Sequence, residues 1–225
     1  MKVFMCFNLL KSSIGKKQVV AATGLILILF LIGHLIGNLL IYGGPDVFNG
    51  YAAALKKARP VVLIIEMALL AVFVTHILVT IALVLENMKA AGVNRYAVSK
   101  SRGKRSLATQ LRVYTGLFLF GFVVWHLFDF TFADHEGVRS VLTAKSLGLY
   151  GVVYNSFLDP IHSFLYIVAM GCLGFHLTHG IQSLVQTFGF NHPKYTPCVH
   201  QFSNLFGVCI ALAFSSIPLY VLIRG

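Results

Sequence analysis

The sequence predicts an all-α membrane protein, a single bundle of five transmembrane helices spanning residues 1–225, and three observations predict it. Only 11% of the residues are charged and 57% are hydrophobic, whereas a soluble domain carries about a quarter charged residues. Five apolar runs, at about 19–42, 61–86, 112–133, 159–187 and 203–223, each reach the roughly 20 residues that cross a bilayer. Four of those runs hold a histidine deep inside: His34, His76, His126 and His176.

The opening stretch, Met1 to Lys17, mixes apolar and basic residues and reads as a segment on the membrane surface that turns into the first span. That span is too long for a signal-peptide core and lacks a small-x-small cleavage site, so it stays. Gly43-Gly44-Pro45 ends it with turn chemistry, and Arg59-Pro60 opens the second span. A strongly basic connection, about 87–111, contains Ser-Lys-Ser-Arg-Gly-Lys-Arg-Ser from Ser99 to Ser106, which reads either as a solvated orientation signal or as a docking surface for an acidic partner. Asn191-His192-Pro193 breaks the chain after the fourth span, and Pro218 is a candidate kink in the fifth. No repeat of solenoid period is visible. His135, His192 and His200 fall in predicted loops. Cys6, Cys172, Cys198 and Cys209 show no CxxC or zinc spacing and read as thiols filling small gaps.

The net charge of +11 is explained by topology rather than by nucleic acid, because Lys and Arg collect in cytoplasmic loops. With the N-terminus inside, twelve Lys and Arg residues lie on the inner side and six on the outer side. Asp46, Asp129, Asp134, Glu136 and Asp159 fall at or beyond the outer ends. The N-terminus is therefore expected in the cytoplasm and the C-terminus outside.

That topology sets the depth of each histidine. A helix rises about 1.5 Å per residue through a hydrocarbon core of about 30 Å. His34 and His126 come out roughly 21–22 Å above the inner face, and His76 and His176 roughly 22 Å below the outer face. Two levels result, about 14 Å apart. Imidazole is costly in hydrocarbon unless bonded, so four at two matched depths point to ligands, and two axial pairs suit two stacked b haems. A single membrane histidine more often packs helices; the level pairing outweighs that reading. Gly33, Gly37, Gly121, Gly171 and Gly174 near three of the histidines mark gaps where a flat macrocycle could lie, although glycines equally serve close helix packing. His76 has Thr75 and Thr80 nearby but no glycine. His179, a turn beyond His176, lies too near the inner boundary for a central iron, and His162 lies too shallow to match His126.

At these residues the chain resembles a known family. The segment from Ser12 to Leu39, His76 in Phe-Val-Thr-His-Ile-Leu-Val, His126 in Phe-Gly-Phe-Val-Val-Trp-His-Leu, and the segment from Phe175 to Phe190 are similar to the five-helix dihaem cytochrome b (b558-type) anchor of succinate dehydrogenases and quinol:fumarate reductases. The resemblance covers nearly the whole chain and is most specific in the first and fourth segments. It implies two haem b groups, with iron ligands His34 and His126 (outer) and His76 and His176 (inner), and propionate contacts among Ser13, Lys17, His179 and Ser183. It implies a flavoprotein with FAD and an iron–sulfur subunit docked on the cytoplasmic face of a bacterial inner membrane, menaquinone as the lipid substrate, and allows a dimer of heterotrimers. The chain alone would not perform the dicarboxylate chemistry. Some fumarate reductases of this type carry a proton-conducting Glu where this chain has Gly174, which puts that pathway in doubt.

A quinone that takes two electrons also takes two protons, so its site wants a titratable group near lipid and water. Glu66, roughly 8 Å inside the outer end of the second span, is the first candidate, and Asp129, with Asp159 and His162 nearby, the second. Two other readings stay open: the haem-b anchor of a formate dehydrogenase or hydrogenase, and a haem-free small transporter or assembly factor.

Overall fold

The computed structural model describes residues 11–91, 107–133, 147–190 and 192–224, and every regular element among them is helical. Seven helices follow in order: α1 (Ser13–Leu39), α2 (Pro45–Lys57), α3 (Arg59–Ala91), α4 (Leu107–His126), α5 (Gly148–Leu158), α6 (Pro160–Thr187) and α7 (Thr196–Arg224). Five are long and apolar enough to cross a membrane: Ser13–Gly43, Arg59–Ala90, Gln110–Thr131, Pro160–Thr187 and Thr196–Arg224. The chain is a multi-pass membrane protein. Exposed side chains such as Ile14, Ile64, Leu117 and Ile223 are what lipid, rather than water, accommodates.

Each boundary has a local cause. The Ser12 side chain accepts the Gly15 N–H at 3.0 Å and caps α1, so Ser13 to Lys17 form the start of the span rather than a surface segment. Asp159 caps α6 in the same way, accepting from Ile161 N at 2.9 Å, with Pro160 in the first turn. α7 begins at Thr196, seven residues before the predicted 203, and places His200 in helix rather than in a loop. Pro218 lies inside α7 without ending it. The basic run from Ser99 to Ser106, Cys6 and His135 lie outside the described residues.

The spans alternate in direction. Lys16 at the start of α1 pairs with Glu86 near the end of α3, and Gln182 near the end of α6 donates to Ser203 Oγ in the early turns of α7 at 2.8 Å. This end is called the N-face below. The opposite face carries two short helices, α2 and α5, in segments that lie between the predicted spans. Both are too short to cross a bilayer. α2 has Asp46 in its first turn and Lys56 and Lys57 in its last, which complements the helix dipole. Asn49 joins the two: its amide donates to Leu147 O and its oxygen accepts from Tyr150 N, both at 3.0 Å. Ile41, Phe48, Val153, Phe157, Tyr166, Ile217 and Val221 form one buried cluster that seals this face.

α1 lies beside α3, α4 beside α6, and α6 packs most extensively on α7. At the α6–α7 crossing a Cβ added to Gly174 would meet Gly207 O at 2.8 Å, and one added to Gly207 would meet Gly174 O at 2.5 Å. Gly174 therefore faces the fifth span, where a larger side chain has no room. Gly37 likewise packs on Tyr51, whose hydroxyl would lie 2.7 Å from a Cβ there. These two glycines serve helix packing. Gly33, Gly121 and Gly171 have open space beside them.

Candidate functional site: two histidine pairs

Four helices contribute one histidine each. His34 on α1 and His126 on α4 stand together, ring centroids 5.8 Å apart and planes at 89°. That is the range of an ordinary edge-to-face ring contact, and the two imidazoles stand close enough that they could hold one metal-bearing group between them. Phe30 stacks on His34 (5.4 Å, 21°) and Phe122 on His126 (5.8 Å, 26°). Both histidines are only partly covered by protein, as groups facing a gap would be.

His76 on α3 and His176 on α6 form the second set, within electrostatic reach of one another. Thr23 Oγ1 lies 3.0 Å from His76 Nδ1, and Thr115 Oγ1 lies 3.4 Å from His176 Nδ1. Beside each threonine is a glycine that makes room for the ring. A Cβ on Gly24 would meet His76 Cε1 at 3.4 Å, and one on Gly116 would meet His176 Cε1 at 3.3 Å. Thus His76 does have a glycine, supplied by the neighbouring helix. Thr23 precedes His34, and Thr115 precedes His126, by eleven residues; that rise separates the two levels by about 16 Å.

The chain matches no family model, no curated protein and no solved structure.

Among the described residues no three His, Cys, Asp or Glu side chains converge as they would around a bare metal ion. The histidines instead lie in twos, His34 with His126 and His76 within electrostatic reach of His176, a number that could serve a haem rather than a bare ion. The open space beside Gly33, Gly121 and Gly171 and the partial exposure of all four rings fit a flat group between the helices.

Behind His126 lies a polar network of which the sequence alone suggests only Asp129, Asp159 and His162. α4 gives way to a π-turn over Leu127–Thr131, with Phe132 N bonded to Leu127 O at 3.0 Å; such turns recur at functional sites. Buried Tyr166 on α6 donates its hydroxyl hydrogen to Asp129 Oδ2 at 2.5 Å, while the tyrosine hydroxyl oxygen itself stands 3.5 Å from His126 Nδ1. His162 stacks on the Tyr166 ring (4.8 Å, 20°), and its Nε2 is 3.4 Å from Asp129 Oδ2. That contact has ion-pair distance without hydrogen-bond alignment, and Nε2 has no other partner among the described residues. Asp159 caps α6 one turn before His162. Glu66 is held apart from this network: its carboxylate accepts from Arg59 Nη1 at 2.8 Å, both side chains being about half exposed.

At the N-face, His179 lies within electrostatic reach of Arg112 and of His176. Ser13, Lys17 and Ser183 are exposed near the same end, and it is Lys16 rather than Lys17 that pairs with Glu86. Sequence reasoning misses Thr23, Gly24, Thr115, Gly116 and Tyr166. Aligning the first span with the third would find the first four.

Proposed function

We propose that this chain is a dihaem cytochrome b anchor that carries electrons between menaquinone and the iron–sulfur subunit of a succinate:quinone or quinol:fumarate oxidoreductase. The observation that supports it most is the convergence of four intramembrane histidines into two pairs on two levels. When bound, haem would supply reversible one-electron chemistry at each level. His34 and His126 would hold one group, and His76 and His176 the other. The stacked Phe30 and Phe122 rings orient the first pair, and the apolar walls exclude water from both. The partner subunits, flavoprotein and iron–sulfur protein, belong on the N-face, which this reading places in the bacterial cytoplasm. His179 and Arg112 there suit anionic propionates.

Quinone chemistry in this reading belongs to the opposite face. Asp129 ranks ahead of Glu66 there, because Asp129 is linked through Tyr166 to His126 whereas Glu66 is bonded to Arg59. Asp129 can accept a proton at a site one turn from the His34–His126 level and pass it toward His162 and the membrane surface.

The test is purification of the complex with a reduced-minus-oxidised spectrum. Two low-spin b haems per chain are expected, together with succinate- or fumarate-linked partner subunits. Replacing His34 or His126 should remove mainly one haem, and replacing His76 or His176 mainly the other. A colourless chain, one haem, or a formate dehydrogenase or hydrogenase large subunit in the complex would overturn this function. Asp129→Asn should keep both haem spectra yet abolish quinol turnover, with dye-linked activity of the soluble subunits retained. Unchanged quinol turnover would remove Asp129 from the mechanism.

A further inference from the structure

The first and third spans carry the same twelve-residue pattern. Thr23 to His34 reads TGLILILFLIGH and Thr115 to His126 reads TGLFLFGFVVWH, identical at Thr, Gly, two Leu, Phe and His. The contacts repeat with the letters. In each copy the phenylalanine stacks on the histidine one turn further on. The glycine lies against Cε1 of the histidine of the span that follows in the chain, and the threonine hydroxyl meets that histidine's Nδ1. α1 with α3 and α4 with α6 are thus two copies of one device.

The threonine hydrogen is already committed. Thr23 donates to Val19 O at 2.7 Å, with Val20 O at 3.1 Å, and Thr115 donates to Leu111 O at 3.1 Å, with Arg112 O at 3.2 Å. A hydroxyl whose hydrogen is so used has only lone pairs to offer. The imidazole must then supply the hydrogen from Nδ1. An Nδ1–H imidazole has its lone pair on Nε2, on the far side of the ring.

We propose that Thr23 and Thr115 are positioning residues that hold His76 and His176 as Nδ1–H tautomers, with Nε2 free as the ligand atom. This inference rests on the haem reading above. A hydrogen bond accepted from Nδ1–H makes the imidazole a stronger electron donor, which favours the oxidised metal and keeps the potential of that haem low. At 3.0 Å against 3.4 Å, Thr23 has the greater effect, since hydrogen bonds weaken quickly at long range. In the outer pair His126 faces Tyr166 instead, and that pair stays out of this effect.

The test uses the purified complex with Thr23→Val, Thr115→Val and the corresponding Thr→Ser variants. Valine keeps the shape and removes the acceptor; serine restores it. Redox titration followed at the haem bands, with electron paramagnetic resonance of the oxidised protein, reads each haem separately, and His76→Ala identifies the inner one. The expected result is a rise in the midpoint potential of the inner haem in both valine variants, larger for Thr23→Val. The outer haem should be unmoved and the serine variants should return to the wild-type value. Valine variants with wild-type potentials and spectra would overturn the inference, as would equal shifts of both haems or failure of serine to restore the potential. Absence of two haems from the wild-type complex would instead strike the haem reading itself.

Discussion

Gly174→Ala tests the α6–α7 crossing with a single methyl group. The added carbon would stand 2.8 Å from Gly207 O and 3.1 Å from Ala211 Cβ. Carbon pairs rest at about 3.5–4.0 Å, so the helices must part by roughly 0.5–1 Å, and a gap of that size forfeits a quarter to a half of each local dispersion contact. Overpacking of this kind costs about 1–3 kcal/mol. For a chain of this size 1 kcal/mol moves the midpoint by about 2–4 °C, so about 2 kcal/mol lowers Tm by roughly 4–8 °C. The assay is thermal unfolding of the detergent-purified protein followed by far-ultraviolet circular dichroism. Gly180→Ala, on the same helix, is the control. Nothing lies within 4 Å of a Cβ there, and alanine should hold or raise Tm through helix propensity, worth up to about 1 kcal/mol. A Gly174→Ala protein that melts with or above the wild type would refute the close crossing, and with it the reason a glutamate has no room at this position.

Asn49→Ala removes both bonds that tie α2 to α5, and at about 0.5–1.5 kcal/mol each should open the start of α5 to limited proteolysis near Leu147. Tyr166→Phe keeps the ring among Phe122, Trp125 and Phe157 but strips Asp129 of its 2.5 Å donor; a stability loss of about 1–3 kcal/mol is expected by denaturant titration, and none would mean the carboxylate is satisfied elsewhere. Glu86→Gln breaks the pair with Lys16; with the glutamate side chain 45% exposed, the change in stability should stay below about 1 kcal/mol. If the proposed haem reading holds, His179→Ala should leave both haems in place and shift only the inner potential, as read by redox titration. Loss of the inner haem in that variant, with retention in His176→Ala, would move the ligand one turn.

The five spans were legible because a run of roughly twenty apolar residues has no stable place in water, and their limits moved by a few residues where a cap such as Ser12 acted. α2 and α5 were not, since short helices with Phe48 on one side and Lys56 on the other look like loops until a surface is supplied for them. Glycine positions told that space was needed but not by whom. Gly33 and Gly121 border open space, whereas Gly37 and Gly174 are filled by Tyr51 and by α7. Glu66 stood out as a carboxylate inside the second span, and the partner that the fold gives it, Arg59, sits two turns back along the same helix. Tyr166 carried no sequence signal at all; one tyrosine among nine becomes notable only when Asp129 and His126 arrive on its two sides.

The doubled hairpin has a consequence for how the chain is made. His76 meets its threonine as soon as α3 folds back on α1, yet its opposite number, His176, is encoded a hundred residues later. At about 5–20 residues per second the ribosome needs roughly 5–20 s to supply it. During that interval His76 presents an unmatched imidazole to the lipid or to the insertion machinery. The His34–His126 level can close once the third span has entered the membrane, whereas the His76–His176 level waits for the fourth, so the two levels are completed in sequence, one span apart.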